Sequence, residues 1–122
     1  MKFLLVIGHG SRKQAANEEI RALAQRVAAL ENCDFDGVVA AFLELAEPDI
    51  QQGIARCVEL GAVSVVVVPY FLAAGNHVSR DIPAELESAR AANPELEINL
   101  SQYAGASESM AELLLSCAGI PG

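Results

Sequence analysis

Two short segments of the chain are apolar except for Ser64 and rich in β-branched residues, and they constrain the fold more than any other feature. They are Phe3–Ile7 and Val63–Val68. An unbroken apolar strand is typical of a parallel sheet with helices on both faces, because neither face then meets water. Two further segments, Val38–Leu43 and Leu96–Leu100, have a weaker strand pattern. We therefore predict four parallel strands.

Segments with helical periodicity separate the predicted strands. We predict helices over Gln14–Leu30, over Pro48–Leu60, from Pro83 to just before Pro94, and over Ser107–Cys117. The alternation of strands and helices, with right-handed crossovers, gives a small doubly wound α/β domain with helices on both faces of a four-stranded parallel sheet. The predicted strand order is 2-1-3-4, of the flavodoxin type, with the topological switch point between the first and third strands. One domain is expected over residues 1–118, with a short tail at 119–122.

Local signals indicate where the predicted helices begin and end. Ser11 and Gln14 have the spacing of a capping box for the first helix. Pro48 and Gly61 bracket the second helix and follow the usual preference for Pro in the first turn and Gly after the last. Asp81 is the candidate N-cap of the third helix.

Composition and charge exclude several classes of function. The net charge is -8 with only eight Lys and Arg residues, so the chain lacks the basic stripe of a sequence-independent nucleic-acid binder. No apolar run reaches the roughly 18 residues of a membrane-spanning helix, and the first residues lack the features of a signal peptide. Cys33, Cys57 and Cys117 form no C-x-x-C pair, which favours small buried thiols in a reducing compartment. We expect a cytoplasmic protein that binds neither nucleic acid nor a membrane.

Three polar side chains follow the predicted strands at their carboxyl ends. His9 follows the first strand, Glu44 the second, and His77 lies in the loop after the third. The carboxyl ends of parallel strands share one crevice, so these residues can converge on one ligand. The chain has only two histidines, and both fall at this edge. Glu44 stands in an otherwise apolar run, where a carboxylate needs a partner or a metal ion.

Each of these signals also has a simpler interpretation. The turn Gly8–Arg12 could cap a helix or bind a phosphate at the helix N-terminus, with His9 incidental. Glu44 could be a solvated residue at a strand end, and Lys13 an ordinary solvated charge. The segment after the third strand is long for a simple connection, and its apolar part, Tyr70–Leu72, could face a flat hydrophobic ligand or belong to the core.

The motifs at this edge resemble those of a known family. They are G-H-G-S-R at Gly8–Arg12, A-F-L-E-L-A-E-P-D-I at Ala41–Ile50, and V-P-Y-F-L-A-A-G-N-H-V-S-R-D-I-P at Val68–Pro83. Together they resemble the class II tetrapyrrole chelatases, in particular the short, single-lobe sirohydrochlorin cobaltochelatases. The resemblance covers about residues 1–100 and implies a chelatase-like α/β fold.

The resemblance implies a lyase of cobalamin or siroheme-type biosynthesis, which inserts a divalent metal ion into sirohydrochlorin and removes two pyrrole protons. It implies that His9 and His77 bind the metal and accept protons, and that Glu44 is a third ligand. No organic cofactor is expected. The metal is a substrate, Co²⁺ in preference to Fe²⁺ or Ni²⁺, all of which accept imidazole and carboxylate ligands. The alternative is a non-catalytic carrier of the tetrapyrrole or the metal.

The substrate implied by the resemblance is a planar macrocycle with eight carboxylate side chains. Arg12 and Arg80 are the candidate partners of those carboxylates. Further candidates for contact with the macrocycle are Ser11, Tyr70, Phe71, Gly75 and Asn76. Members of the family that are about twice as long fuse two lobes around a cleft, so we expect a homodimer whose two copies share a cleft.

Overall fold

The computed structural model describes residues 1–119 and contains one parallel sheet. Its strands are β1 (Lys2–Gly8), β2 (Gly37–Phe42), β3 (Ser64–Pro69) and β4 (Glu97–Leu100). They pair in the order β2-β1-β3-β4, and every pairing is parallel. The predicted fold class and strand order are confirmed, and every strand end lies within one residue of its predicted position.

Helices connect the strands. They are α1 (Gln14–Ala28), α2 (Ile50–Glu59), α3 (Ile82–Ala92) and α4 (Met110–Cys117). A π-helical turn at His77–Asp81 runs directly into α3, and a 3-10 turn at Ala104–Ala106 precedes α4. All four predicted helices are present, although their ends differ. Of the predicted tail at 119–122, only Gly119 belongs to the described residues.

The capping box predicted for α1 is wrong. Lys13 is the residue before the helix, and no side chain caps it. Instead of reaching the first turn, Ser11 Oγ accepts a hydrogen bond from the Lys13 N–H at 3.0 Å. The side chain of buried Asn17 binds the Ser11 backbone, which keeps Ser11 outside the helix. Because α1 ends at Ala28, Leu30 is 57% exposed and does not extend the apolar face of the helix.

Asp49 caps α2, so the helix begins two residues later than predicted from Pro48. The Asp49 carboxylate accepts from the Gln52 N–H, and Gln52 Oε1 accepts from the Asp49 N–H, both at 2.8 Å. This reciprocal capping box satisfies two backbone donors of the first turn. The predicted end is confirmed, because Gly61 adopts φ +103°, the left-handed conformation that glycine favours after a helix.

The core lies between one face of the sheet and the helices α2 and α3. Its largest members are Phe3, Leu5, Ile7, Ile50, Ile54, Val65, Val67, Ile82, Leu86 and Ile98. On the other face α1 packs against β1 and β2. Strand β1 is therefore enclosed on both sides, which explains its unbroken apolar sequence and makes its carboxyl end a rigid support for the residues that follow.

The three cysteines are unpaired thiols, as predicted, but only one of them is buried. Cys57 lies in the core, where burial raises the pKa of its thiol to about 11 and keeps it protonated at neutral pH. Cys33 is half-buried, and the prediction of burial is wrong for Cys117, which is exposed because α4 does not pack on the sheet. Over residues 1–119, no helix is long and apolar enough to span a membrane.

Candidate functional site

His9, Glu44 and His77 come together at the carboxyl edge of the sheet. The ring centroids of His9 and His77 are 4.8 Å apart, and His9 Nε2 lies 3.3 Å from Glu44 Oε1. The side chains of His9, His77 and Glu44 are 45%, 48% and 57% exposed, so the site opens to solvent. The edge thus holds three potential metal donors that are far apart in sequence.

Backbone contacts hold His9 and Glu44 next to each other. The Leu43 N–H donates to the Gly8 carbonyl at 3.0 Å, and the Glu44 N–H donates to the His9 carbonyl at 3.1 Å. These bonds continue the contact between the two chain segments past the last paired residues, Gly8 of β1 and Phe42 of β2. Gly10 has φ +96°, and a Cβ at this position would overlap the Glu44 carbonyl oxygen. Only glycine permits both this conformation and this approach.

Asn17 supports the turn that carries His9, a role that we did not predict from the sequence. It is 1% exposed, its side-chain oxygen accepts from the Ser11 N–H at 2.9 Å, and its amide donates to the Ser11 carbonyl at 2.8 Å. The two bonds tie the turn to α1. An asparagine in a helix is ordinarily solvated, so its residue type alone does not predict such a contact. Ser11, a predicted substrate contact, is half-buried within this arrangement.

The π-helical turn brings Asp81 to His77. His77 Nδ1 lies 2.8 Å from Asp81 Oδ2. The predictions of a loop at His77 and of an N-cap at Asp81 are both wrong, because the backbone is already helical at Asp81 and its carboxylate contacts the imidazole instead. Within this turn the Ser79 N–H and hydroxyl both donate to the Gly75 carbonyl at 2.8 Å. The four-residue spacing of His77 and Asp81 is the signal that could have revealed this pair.

Phe71 forms an apolar wall beside both histidines. Its ring centroid is 6.5 Å from that of His9 and 6.3 Å from that of His77. The same side chain packs against the core, as one of its two interpretations predicts, and its contact with a flat ligand stays a prediction. Leu72 is 73% exposed and is no core residue, while Tyr70 is 41% exposed.

The remaining candidates for substrate contact are close in sequence to the two histidines and lie at the surface. Arg12, Arg80, Gly75 and Asn76 are all exposed. Within residues 1–119, neither arginine forms an ion pair, and neither does Lys13. Free guanidinium groups beside the two histidines are available for an anionic ligand.

An acidic cavity of about 430 Å³ has His77 in its wall. Its lining consists of Leu43, Glu44, His77, Asp81, Ala84, Glu85 and Ser88. Three carboxylates in one cavity attract a cation and repel an anion. Among the described residues, no three His, Cys, Asp or Glu side chains form a ready metal cluster. The donors form two pairs instead, His9 with Glu44 and His77 with Asp81.

His9 faces an acceptor at each ring nitrogen. Nδ1 lies 3.1 Å from the Gly10 carbonyl oxygen, and Nε2 lies 3.3 Å from the Glu44 carboxylate. A neutral imidazole has one N–H and satisfies only one of these acceptors. The acceptor that faces the nitrogen without a hydrogen makes a favourable contact only when that nitrogen binds a proton or a metal cation. The geometry therefore suits the uptake of a cation between His9 and Glu44.

Comparison with known proteins identifies the family. Residues 3–118 match the family model described as CbiX. The chain belongs to the CbiX family. It is 40% identical over 86 residues to the sirohydrochlorin cobaltochelatase of Methanopyrus kandleri, a match that covers 70% of this chain and 59% of that protein. It is 31% identical over 115 residues to the sirohydrochlorin ferrochelatase of Priestia megaterium, with 94% of this chain and 42% of that protein covered.

The predicted resemblance to sirohydrochlorin chelatases is thus confirmed, and the fold agrees with it. The structure resembles that of the sirohydrochlorin chelatase SirB from Bacillus subtilis subspecies spizizenii, crystallised in complex with cobalt, with a TM-score of 0.86 and 30% identity. The match covers 97% of this chain and 50% of the SirB chain. The chain of this CbiX protein therefore spans about half the length of these relatives.

The close approach at Gly10 can be tested by substitution. Gly10→Ala should lower the free energy of unfolding by about 2 kcal/mol or more, because the left-handed backbone costs alanine roughly 1–2 kcal/mol and its Cβ overlaps the Glu44 carbonyl. Gly75→Ala is the matched control, since no atom lies within 4 Å of a Cβ there, and it should change stability by less than about 0.5 kcal/mol. Urea denaturation followed by circular dichroism measures both. Equal free energies of unfolding for the two variants would contradict the close contact between Gly10 and the Glu44 carbonyl.

Proposed function

We propose that this CbiX protein is a sirohydrochlorin chelatase that inserts a divalent metal ion, with Co²⁺ as the preferred substrate. The observation that carries the proposal is the pair of imidazoles, His9 and His77, with ring centroids 4.8 Å apart and a carboxylate beside each. Two relatives of the chain are a sirohydrochlorin cobaltochelatase and a sirohydrochlorin ferrochelatase. We propose the substrate from these two relatives, and we propose the mechanism from the two pairs of imidazole and carboxylate.

In this proposal His9, His77 and Glu44 receive the metal ion. Imidazole and carboxylate are suitable ligands for cobalt, iron and nickel in the divalent state. Asp81 accepts a hydrogen bond from the Nδ1–H of His77, which leaves Nε2 as the free donor nitrogen. A solvent-open set of few protein ligands leaves coordination positions for water and pyrrole nitrogens. The metal can therefore enter and also leave.

Insertion exchanges one divalent ion for two pyrrole protons, and the site holds acceptors for both. Metal binding requires unprotonated nitrogens, so departure of the metal frees His9 and His77 for protonation. Each resulting imidazolium has a carboxylate partner, Glu44 at 3.3 Å and Asp81 at 2.8 Å. Two positive charges leave the site with the metal ion, and two positive charges enter it with the protons. The charge of the site is thus the same before and after the reaction.

Charges around the donors orient the macrocycle. The acidic cavity repels the substrate carboxylates, whereas the exposed Arg12 and Arg80 attract them. Phe71 offers an apolar surface beside both imidazoles, against which the ring plane can lie. This separation of charge directs the carboxylate rim to the arginines and the ring nitrogens to the histidines. Exposed Tyr70, with Ser11, Gly75 and Asn76, completes the proposed contact surface.

We further propose a homodimer in the cytoplasm as the active form. The unpaired thiols of Cys33, Cys57 and Cys117 support a reducing compartment. The match to half of the SirB chain supports a second copy of the fold in the working assembly. A cavity of about 430 Å³ is at the small end for a ligand pocket, and a macrocycle with eight carboxylates needs additional walls. A partner copy can supply them.

Removal of either histidine should abolish most of the catalysis. With sirohydrochlorin and Co²⁺, the wild-type protein should speed the loss of the metal-free absorption spectrum, and His9→Ala and His77→Ala should each lower that rate at least about 100-fold. Glu44→Gln should also slow insertion. Glu95→Gln, an exposed carboxylate just before β4 at the opposite edge of the sheet, is the matched control and should have the wild-type rate.

Two outcomes decide between this proposal and its alternative. Unchanged rates in both histidine variants would overturn the mechanism. Stoichiometric binding of the metal or of the tetrapyrrole by the wild-type protein, without turnover, would instead select a non-catalytic carrier.

A comparison of metals tests the choice of cobalt. Insertion assays with equal concentrations of Co²⁺, Fe²⁺ and Ni²⁺ should give the highest kcat/KM for Co²⁺, because the relative with the higher identity is a cobaltochelatase. These metals share ligand preferences, so the ligand types alone do not select among them. A higher kcat/KM for Fe²⁺ or Ni²⁺ would overturn the choice of metal and leave the chelatase proposal in place.

Asp81 should act as a positioning residue for His77. Asp81→Ala should weaken Co²⁺ binding by about 10- to 100-fold, because the imidazole loses the partner that selects its tautomer and orientation. Asp81→Asn should have a smaller effect, since the amide oxygen still accepts from Nδ1. Glu87→Ala, an exposed carboxylate on α3, is the control. Isothermal titration calorimetry gives each Kd, and a wild-type Kd for Asp81→Ala would contradict this role.

A further inference from the structure

Leu45 is held in a backbone conformation that leucine disfavours. Its φ is +64°, in the left-handed region, and among residues 1–119 it is the one residue other than glycine with a positive φ. This conformation brings Cβ close to the following carbonyl oxygen, so that glycine, and sometimes asparagine or aspartate, are the residues that adopt it routinely. A leucine at this position therefore lowers the stability of the fold.

The backbone just before Leu45 is fixed by the turn after β1. The Glu44 N–H donates to the His9 carbonyl at 3.1 Å. The Glu44 carbonyl packs so closely on Gly10 that a Cβ there would overlap its oxygen. Both peptide groups of Glu44 are thus held in place, and the chain bends at the residue that follows. The conformation of Leu45 accompanies the contacts that place Glu44 beside His9.

The side chain of Leu45 does not belong to the core. It is 51% exposed, and in the described part of the chain it is neither a core residue nor one of the partly buried residues that pack against the core. Asparagine or glycine would suit the backbone better and would expose less apolar surface to water. A residue that breaks a local preference without a gain in packing is typical of a functional site. The exposed leucine therefore indicates contact with a ligand.

We propose that Leu45 is a contact residue for the flat apolar face of the tetrapyrrole. It directly follows Glu44, a proposed ligand of the metal ion that enters the centre of the ring. A pocket for a ligand of this kind is lined mainly by apolar side chains, with few polar groups among them. The inference rests on the proposed chelatase function and adds a residue to its substrate surface.

The order of the strands puts Leu45 on the side of His9 opposite to Phe71. Leu45 follows β2 and Phe71 follows β3, while His9 follows β1, which lies between these two strands. Strands β2 and β3 are therefore about 10 Å apart, a distance that a tetrapyrrole ring can bridge. Leu72, which is 73% exposed, adds a second exposed leucine on the β3 side. A ring placed over the histidines thus meets apolar side chains on both sides of its centre.

Binding of sirohydrochlorin to the metal-free protein tests this contact. Leu45→Asn suits the left-handed backbone, so its midpoint in urea denaturation should equal or exceed that of the wild type. It should nevertheless weaken sirohydrochlorin binding about 10-fold in absorption titrations, because the ring loses an apolar contact. Leu45→Met keeps an apolar side chain of similar volume, and its Kd should stay within about 3-fold of the wild-type value. Leu30→Asn, the matched control, removes a similarly exposed leucine, 57% against 51%, after α1 and should bind like the wild type.

A parallel titration with Co²⁺ separates a substrate contact from a positioning role. Leu45→Asn should have the wild-type Kd for Co²⁺ in isothermal titration calorimetry, since leucine offers the metal no donor atom. A weaker Kd for Co²⁺ would show that Leu45 acts through Glu44 and would contradict the inference. The ratio of the variant and wild-type Kd values for sirohydrochlorin should also be equal at about 0.05 M and about 0.5 M NaCl, because salt does not screen an apolar contact. A ratio that falls with salt would identify an electrostatic effect instead.

Failure of this inference can be distinguished from failure of the proposed function. If Leu45→Asn binds sirohydrochlorin as tightly as the wild type, the contact is wrong and the chelatase proposal remains. If the wild-type protein binds no sirohydrochlorin, both are wrong. A lower urea midpoint for Leu45→Asn would show that the fold itself needs the leucine. A changed mass of this variant in sedimentation velocity would place Leu45 between two copies of the chain, and either result would overturn the inference.

Discussion

Two backbone hydrogen bonds at the carboxyl ends of β1 and β2 determine the position of His9 and Glu44 in the candidate site. They join Leu43 to Gly8 and Glu44 to His9, and they continue the parallel pairing into the turns that carry the donors. Strand β1 is buried on both faces, so this edge cannot move without disturbing the core. His9 and Glu44 are consequently held together by the main chain, and their side chains remain available for a cation.

The two histidines are positioned by different means. His9 follows the rigid central strand, whereas His77 lies on a π-helical turn and contacts Asp81. In each case a carboxylate accompanies an imidazole, and no third donor closes the set within residues 1–119. A closed cluster would retain its metal ion, whereas two open pairs can exchange a metal for protons. Two open pairs of this kind are the arrangement that the proposed metal transfer requires.

The same edge of the sheet also anchors the segment that leads to α4. Phe71 borders both imidazoles, and its carbonyl binds the turn that leads to α4. The half of the sheet without a helix and the helix without a sheet are both in the C-terminal part of the described chain. Three adjacent leucines of α4 are thereby left exposed in this part of the chain.

The sequence by itself determined the sheet and the edge at which the site lies. Apolar runs such as Phe3–Ile7 predict doubly covered parallel strands, and the ends of such strands bring His9, Glu44 and His77 together whatever the details of the helices. Only the tertiary structure decided how each donor is held. The carboxylate of Asp81 contacts His77 and does not cap α3 as predicted. The side chain of buried Asn17 binds the backbone of Ser11, which therefore does not cap α1. Such hydrogen bonds depend on which partners the folded backbone brings within about 3 Å, and spacing along the chain does not encode that distance.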